Sequence, residues 1–207
     1  IDVFRAFSLA CYAFANGAAE ILAVSDLELA YRLKREHPDR VLLGERNGAA
    51  PPGFDFGNSP AEIEEVDFSG RTVIHTTSAG TQGLAKVSGA DETITGAFVN
   101  AGAIVEYARK KNPTVLSLVC MGREAIEPTE EDTLCAEFIR DSLYGNPTVF
   151  ETIRHRLRGS QTARKFFDPE LAWAPERDFE LCLSLDRFGF VLLAEKVDTG
   201  VVRLRKI

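Results

Sequence analysis

Apolar residues fall along this chain in two kinds of pattern, and the two kinds alternate. Short continuous runs occupy residues 1–4 (IDVF), 20–24 (EILAV), 40–44 (RVLLG), 71–77 (RTVIHTT), 93–98 (TITGAF) and 114–122 (TVLSLVCMG). Each has strand length, and their near-continuous Val, Ile and Leu content is that of strands buried on both faces. Between them lie stretches with helical spacing: from residue 5 to about Gly17, over 25–37, from Ser78 onward, over 100–112 and over 130–145. Gly17 and Gly145 suit helix ends. Ser25 and Glu28 stand as a capping box, and Pro38 supplies the stop. Residues 146–186 are mostly helical and more charged, and 188–197 with 200–207 form a hairpin turning at Asp198-Thr199-Gly200.

This alternation predicts an α/β fold: a three-layer α/β/α sandwich whose sheet is largely parallel or mixed. The length of 207 residues suits a single domain, with 146–207 as a helical segment plus closing hairpin of that same domain. The opening IDVF, without a methionine, is expected to be a strand met partway, with residues missing before it. Repeats and low-complexity segments are absent from the sequence.

Composition narrows the function classes. A net charge of −7 is the wrong sign for a nucleic-acid partner. No apolar run is long enough to span a bilayer, and no signal peptide is visible, so a cytoplasmic location without membrane association is expected. Cys11, Cys120, Cys135 and Cys182 are scattered and form no C-x-x-C pair, which predicts reduced, buried thiols rather than a zinc site. Homo-oligomerisation through a sheet edge or the C-terminal hairpin is compatible with the pattern, and no feature decides it.

Open α/β sheets bind ligands at the carboxyl ends of their strands, and unusual polar residues gather there. Asp2 and Arg5 flank the first run. Glu45, Arg46 and Asp55 follow the third within GERNGAAPPGFDFGNSP (44–60), whose glycines and prolines bend the backbone around Phe54 and Phe56. Thr76, Thr77, Gly80 and Thr81 lie in TTSAGT, just before a helix, and Asp132 sits in another helical first turn. Asp2, Glu45, Asp55 and Asp132 are hard oxygen ligands of the kind Mg²⁺ takes. Arg5 and Arg46 are planar forks suited to phosphate, and TTSAGT offers an anion cradle at a helix start. Carboxylates beside arginines point to a metal-assisted reaction on a small phosphorylated anion. Plainer readings stand beside this one. Asp2 and Arg5 form a surface ion pair, TTSAGT is an ordinary turn capped by hydroxyls, and Glu130 to Asp132 only favour a helix start.

DVFRA (2–6), ANGA (15–18), GER (44–46), GFDFGNSP (53–60), TT-x-x-GT (76–81), EDTLCA (131–136) and RDFELCLSLDRFGFV (177–191) together resemble the ComB-type 2-phosphosulfolactate phosphatases of coenzyme M biosynthesis. The resemblance implies a Mg²⁺-dependent hydrolase that converts 2-phospho-3-sulfolactate to 3-sulfolactate and phosphate. Asp2, Arg5, Arg46 and Asp55 would be catalytic, and Asp2, Glu45, Asp55 and Asp132 would hold the metal. Asn58, Ser59, Thr76, Thr77, Gly80 and Thr81 would bind substrate. The chain departs from the family pattern at Phe7, at Ala79 and over 160–168, which leaves room for another phosphorylated hydroxy acid. The alternative is a non-catalytic binding protein for an anionic metabolite. The sequence lacks the D-x-D spacing of phosphoaspartate enzymes, which favours water over Asp2 as the nucleophile.

Overall fold

The structure is a computed structural model that describes every residue except Pro147. Six strands form one sheet: β1 (Glu20–Val24), β2 (Val41–Gly44), β3 (Thr72–Thr76), β4 (Thr93–Thr95), β5 (Leu192–Asp198) and β6 (Val201–Lys206). Their order is β2-β3-β1-β6-β5-β4. β1, β2 and β3 are mutually parallel, and β6, β5 and β4 add antiparallel beside β1. The sheet is therefore mixed, because the C-terminal hairpin joins it at the middle.

Alternation along the strands decides what covers each face. Ile21, Ala23, Val41, Leu43, Val73, Val202 and Leu204 turn one way and pack on helix α1 (Ala6–Ala15). Leu22, Val24, Leu42, Ile74 and Val201 turn the other way, onto Leu29 and Ala30 of α2 (Leu27–Glu36). Helix α3 (Gly80–Lys86) sends Leu84 to the α1 side. A second core gathers α4 (Ala101–Lys111), α5 (Glu130–Leu143), α6 (Phe150–Arg158) and α7 (Glu176–Cys182) around Phe98, Phe138 and Phe179. Tyr12 of α1 ties the two cores by donating to Leu181 O at 2.9 Å. Among the described residues no helix is long and apolar enough to cross a membrane. Cys11, Cys135 and Cys182 are buried free thiols, and Cys120 is half-buried.

Three local expectations fail. Residues 1–4 are not a strand, because Ile1 and Val3 pack into the helical core while the Asp2 carboxylate accepts the Ala6 N–H and starts α1. Residues 114–122 do not join the sheet despite their strand-like composition. Their backbone partner among the described residues is Ile1, its nitrogen reaching Val119 O (2.6 Å) and its carbonyl accepting from Met121 N (2.9 Å). Val115 is 77% exposed and Val119 57%, so this stretch of strand-like composition lies largely at the surface instead of in the sheet. Finally, α2 is capped by Asp26, whose carboxylate accepts Leu29 N–H at 2.8 Å, and not by Ser25.

Candidate active site

The helices following β1 and β3 leave toward opposite faces, so these adjacent parallel strands form a switch point, where a crevice opens beyond their carboxyl ends. An open cleft of about 570 Å³ lies there, lined by Ser25, Asp26, Arg46, Ser78, Gln82 and Lys86 among others. On the α1 side of α3, Asp2 sits against Gly80: a Cβ placed on Gly80 would come 2.7 Å from Asp2 Oδ2. Only glycine leaves that oxygen its space.

The backbone after β2 connects these features. Gly44, at φ +146°, approaches the Thr76 carbonyl so closely that any side chain would collide with it. That approach brings Glu45 under the turn after β3, where its carboxylate accepts Ser78 N–H (2.7 Å), Ser78 Oγ–H (3.2 Å) and Gly48 N–H (2.9 Å). Arg46 donates to Glu45 O and to Thr76 Oγ1, both at 2.7 Å. Arg5 reaches the same loop from α1, donating to Gly48 O (3.3 Å), Trp173 O (2.5 Å) and Asp178 Oδ2 (2.8 Å). Asp2, Arg5, Glu45 and Arg46 are thus joined through Gly48, Ser78 and Gly80 into one region.

Several expected roles change within that region. Arg5 and Asp178 are 2% and 0% exposed in their side chains, so this arginine is a buried strut and not an open clamp. Thr77 N–H goes to Thr81 Oγ1 (2.8 Å), Thr81 N–H to Thr77 Oγ1 (3.2 Å) and Ser78 N–H to Glu45. Three N–H groups of the TTSAGT turn are therefore taken within the protein, that of Ser78 by the Glu45 carboxylate. Ser59 donates to Asp178 Oδ1 (2.7 Å), and Asn58 accepts from His75 Nε2 (3.3 Å), which places both behind the arginines rather than before a ligand. Asp55 leaves the group altogether. Residues 54–56 fold back along β2, Asp55 N and Phe56 N both donating to Leu42 O, and the Asp55 carboxylate pairs with Leu42 N (2.8 Å) and Lys34 (3.3 Å). Its residence is thus toward the amino end of β2. Phe54 and Phe56 do anchor the loop, against Tyr31 and Phe68 on opposite faces of the sheet.

The acids that remain differ in freedom. Asp132 accepts Val3 N–H (2.8 Å) with one oxygen and Gly122 N–H (2.9 Å) with the other. Among the described residues the Asp2 carboxylate accepts only Ala6 N–H, on Oδ1 (3.1 Å), and its Oδ2 faces Gly80. Burial first, and the neighbouring Asp132 second, raise the Asp2 carboxyl to about 7. Burial likewise raises Asp132 and Glu131, the latter held by Thr162 Oγ1 at 2.6 Å. His75 is driven the other way, to about 4, by burial and then by Arg46. Burial also lowers the half-buried Arg46. No group of three or more His, Cys, Asp or Glu side chains assembles as a metal cage among the described residues. A magnesium ion, which keeps waters and uses one or two carboxylates plus substrate oxygens, does not need such a cage. An acid pair this buried, with one free oxygen, fits that kind of ion.

Lys165, Trp173 and Asp178 belong to this region and were not singled out as site residues from the sequence, although Asp178 lies within the quoted RDFELCLSLDRFGFV segment. An aspartate inside the apolar stretch ahead of Phe179, Leu181 and Cys182 was the available signal for Asp178, because a buried carboxylate calls for a cationic partner.

Comparison with known proteins bears on the family. The model of the 2-phosphosulpholactate phosphatase family matches residues 1–196. A probable 2-phosphosulfolactate phosphatase of Bacillus subtilis is 34% identical, the match covering 100% of this chain and 90% of the relative. Its counterpart in Thermotoga maritima is 31% identical over 92% of this chain and 86% of its own length. One in Thermoplasma acidophilum is 31% identical over 98% and 87%.

Proposed function

The chain belongs to the 2-phosphosulpholactate phosphatase family, a family of phosphoric monoester hydrolases, and from that premise we propose that it hydrolyses 2-phospho-3-sulfolactate with Mg²⁺, as a step of coenzyme M biosynthesis. The observation that carries the metal assignment is the buried Asp2–Asp132 pair, with an Asp2 Oδ2 that takes no hydrogen bond among the described residues and packs beside Gly80. Asp2 would hold the ion, and the field of Asp132 would strengthen its grip; Glu45 and Asp55 are engaged elsewhere and drop out. Bound there, Mg²⁺ would supply positive charge to a phosphoryl oxygen and so offset charge on the leaving alkoxide.

The chain's own residues do the rest of the positioning. Arg46, at the cleft and only half-buried, is the guanidinium free to meet the phosphate. Glu45 fixes the 46–48 loop to the Ser78 turn, which sets the direction of Arg46. Arg5 and Asp178 hold the floor beneath that loop. Water is the nucleophile in this reading.

Phosphate release from 2-phospho-3-sulfolactate tests the proposal. Release is expected with Mg²⁺ and not with a chelator present. Asp2→Asn should abolish activation by the metal, and Arg46→Ala should lower kcat/KM by about 100-fold, the scale of a lost charge-assisted contact to the transition state. Equal release with and without chelator would sink the metal assignment. No release from folded protein would sink the activity.

A further inference from the structure

Lys165 is the charged residue of this region to which nothing above gives a task. It projects from a single 3₁₀ turn, Arg164–Phe167, and its ammonium donates to Phe4 O at a long 3.4 Å. It lies 5.0 Å from the Phe166 ring centroid. Asp2 and Glu131 act on it as nearby negative charges and Arg5 as a nearby positive one, yet among the described residues no carboxylate closes an ion pair with it. An ammonium has three donors, and one weak bond to a carbonyl leaves it under-satisfied in surroundings where burial is costly. The two arginines of the region are committed: Arg5 is locked to Asp178, and Arg46 serves the cleft.

We propose that Lys165 is a substrate-binding residue whose ammonium takes an anionic arm other than the phosphate, a carboxylate or a sulfonate, of the phosphoester that reaches Asp2. This rests on the phosphatase reading above. A substrate with several negative groups needs a cation beyond those that face its phosphate, and the Lys165 ammonium, at the carbonyl of Phe4 two residues along from Asp2, stands close enough to the site to be one. A lysine suits the task because a compact, hydrated point charge accepts either kind of anion without demanding bidentate geometry.

The experiment is steady-state kinetics of the wild type, Lys165→Met and Lys165→Arg on three esters. These are 2-phospho-3-sulfolactate, 2-phospholactate, which lacks the sulfonate, and p-nitrophenyl phosphate, which has neither arm. Lys165→Met is expected to raise KM about tenfold with kcat changed less than about threefold, and Lys165→Arg to recover most of the loss. A rise confined to the sulfonated ester identifies the sulfonate, and a rise with both acids identifies the carboxylate. p-Nitrophenyl phosphate should show no change. Equal losses on all three esters, or no change on any, overturn the proposal. If the wild type releases phosphate from none of them, the phosphatase reading fails, and calorimetric titration with 3-sulfolactate decides for Lys165. Binding that Lys165→Met abolishes upholds the inference; binding that it leaves intact, or no binding at all, overturns it.

Discussion

His75 and Asp2 are buried groups that burial pushes in opposite senses, and each leaves a pH signature. His75 stays neutral in the fold, with its proton on Nε2 facing Asn58 and its pKa near 4. Unfolded chains take up that proton below about 6.5, so His75 destabilises the protein as pH falls from 6.5 toward 4. Denaturant titrations should show His75→Gln removing roughly 2–3 kcal/mol of the stability loss between pH 7 and pH 4.5. Asp2 acts inversely. Its folded pKa, about 7, exceeds the unfolded value, so the folded state holds this proton more tightly. Its contribution to stability is therefore lost as pH rises from about 4 through 7, and Asp2→Asn should flatten that loss when no divalent ion is present. A variant whose pH profile matches the wild type refutes the corresponding burial argument. Residue types at strand ends were legible from the sequence, as Glu45, Arg46 and Thr77 show. What each donor does was not, because hydrogen-bond partners are set by loops that fold back, as Asp55 and the TTSAGT turn show.

At the scale of elements, capping and close approach decide the outcome. Asp26→Ala should cost about 1 kcal/mol by uncapping α2, whereas Ser25→Ala should leave that helix nearly unchanged; thermal melts of the two variants compare them directly. Gly44→Ala should be harsher. The new methyl collides with the Thr76 carbonyl and the backbone sits at φ +146°, so β2 would have to move off β3, carrying Glu45 and Arg46 with it. Activity should fall with stability in that variant; full activity would contradict the account of the loop. Helices and buried strands were readable here because period and length agree. The failures at 1–4 and 114–122 share a feature: composition reports a taste for extended backbone, while a strand also needs a continuous ladder, and these two segments make isolated backbone bonds, to each other and to Gly96. For 1–4, capping of α1 by Asp2 won instead.

Across the whole molecule, the Arg5–Asp178 pair joins the start of the chain to α7 through a fully buried contact. Removing one partner strands the other's charge, so Asp178→Ala is expected to cost about 3–5 kcal/mol in urea denaturation. The same connectivity predicts that residues 146–207 do not unfold separately. Fluorescence of Trp173 and far-UV circular dichroism should report one coincident transition, and two separated transitions would mark the C-terminal segment as an independent unit. The α/β class was legible from alternating periods. The antiparallel half was visible only as a hairpin, because the sequence does not say which edge the hairpin will meet.

The strand order has a consequence for how this protein is made. The strand beside β1 is β6, the last of the six in chain order, so β1 waits with an open flank until the other strands have been made. Until then Ile21 to Val24 offer bare backbone and apolar side chains to any neighbour, including another nascent copy. Fast synthesis at high concentration should thus favour aggregates seeded at this flank, and slower synthesis or chaperone cover should favour the native enzyme.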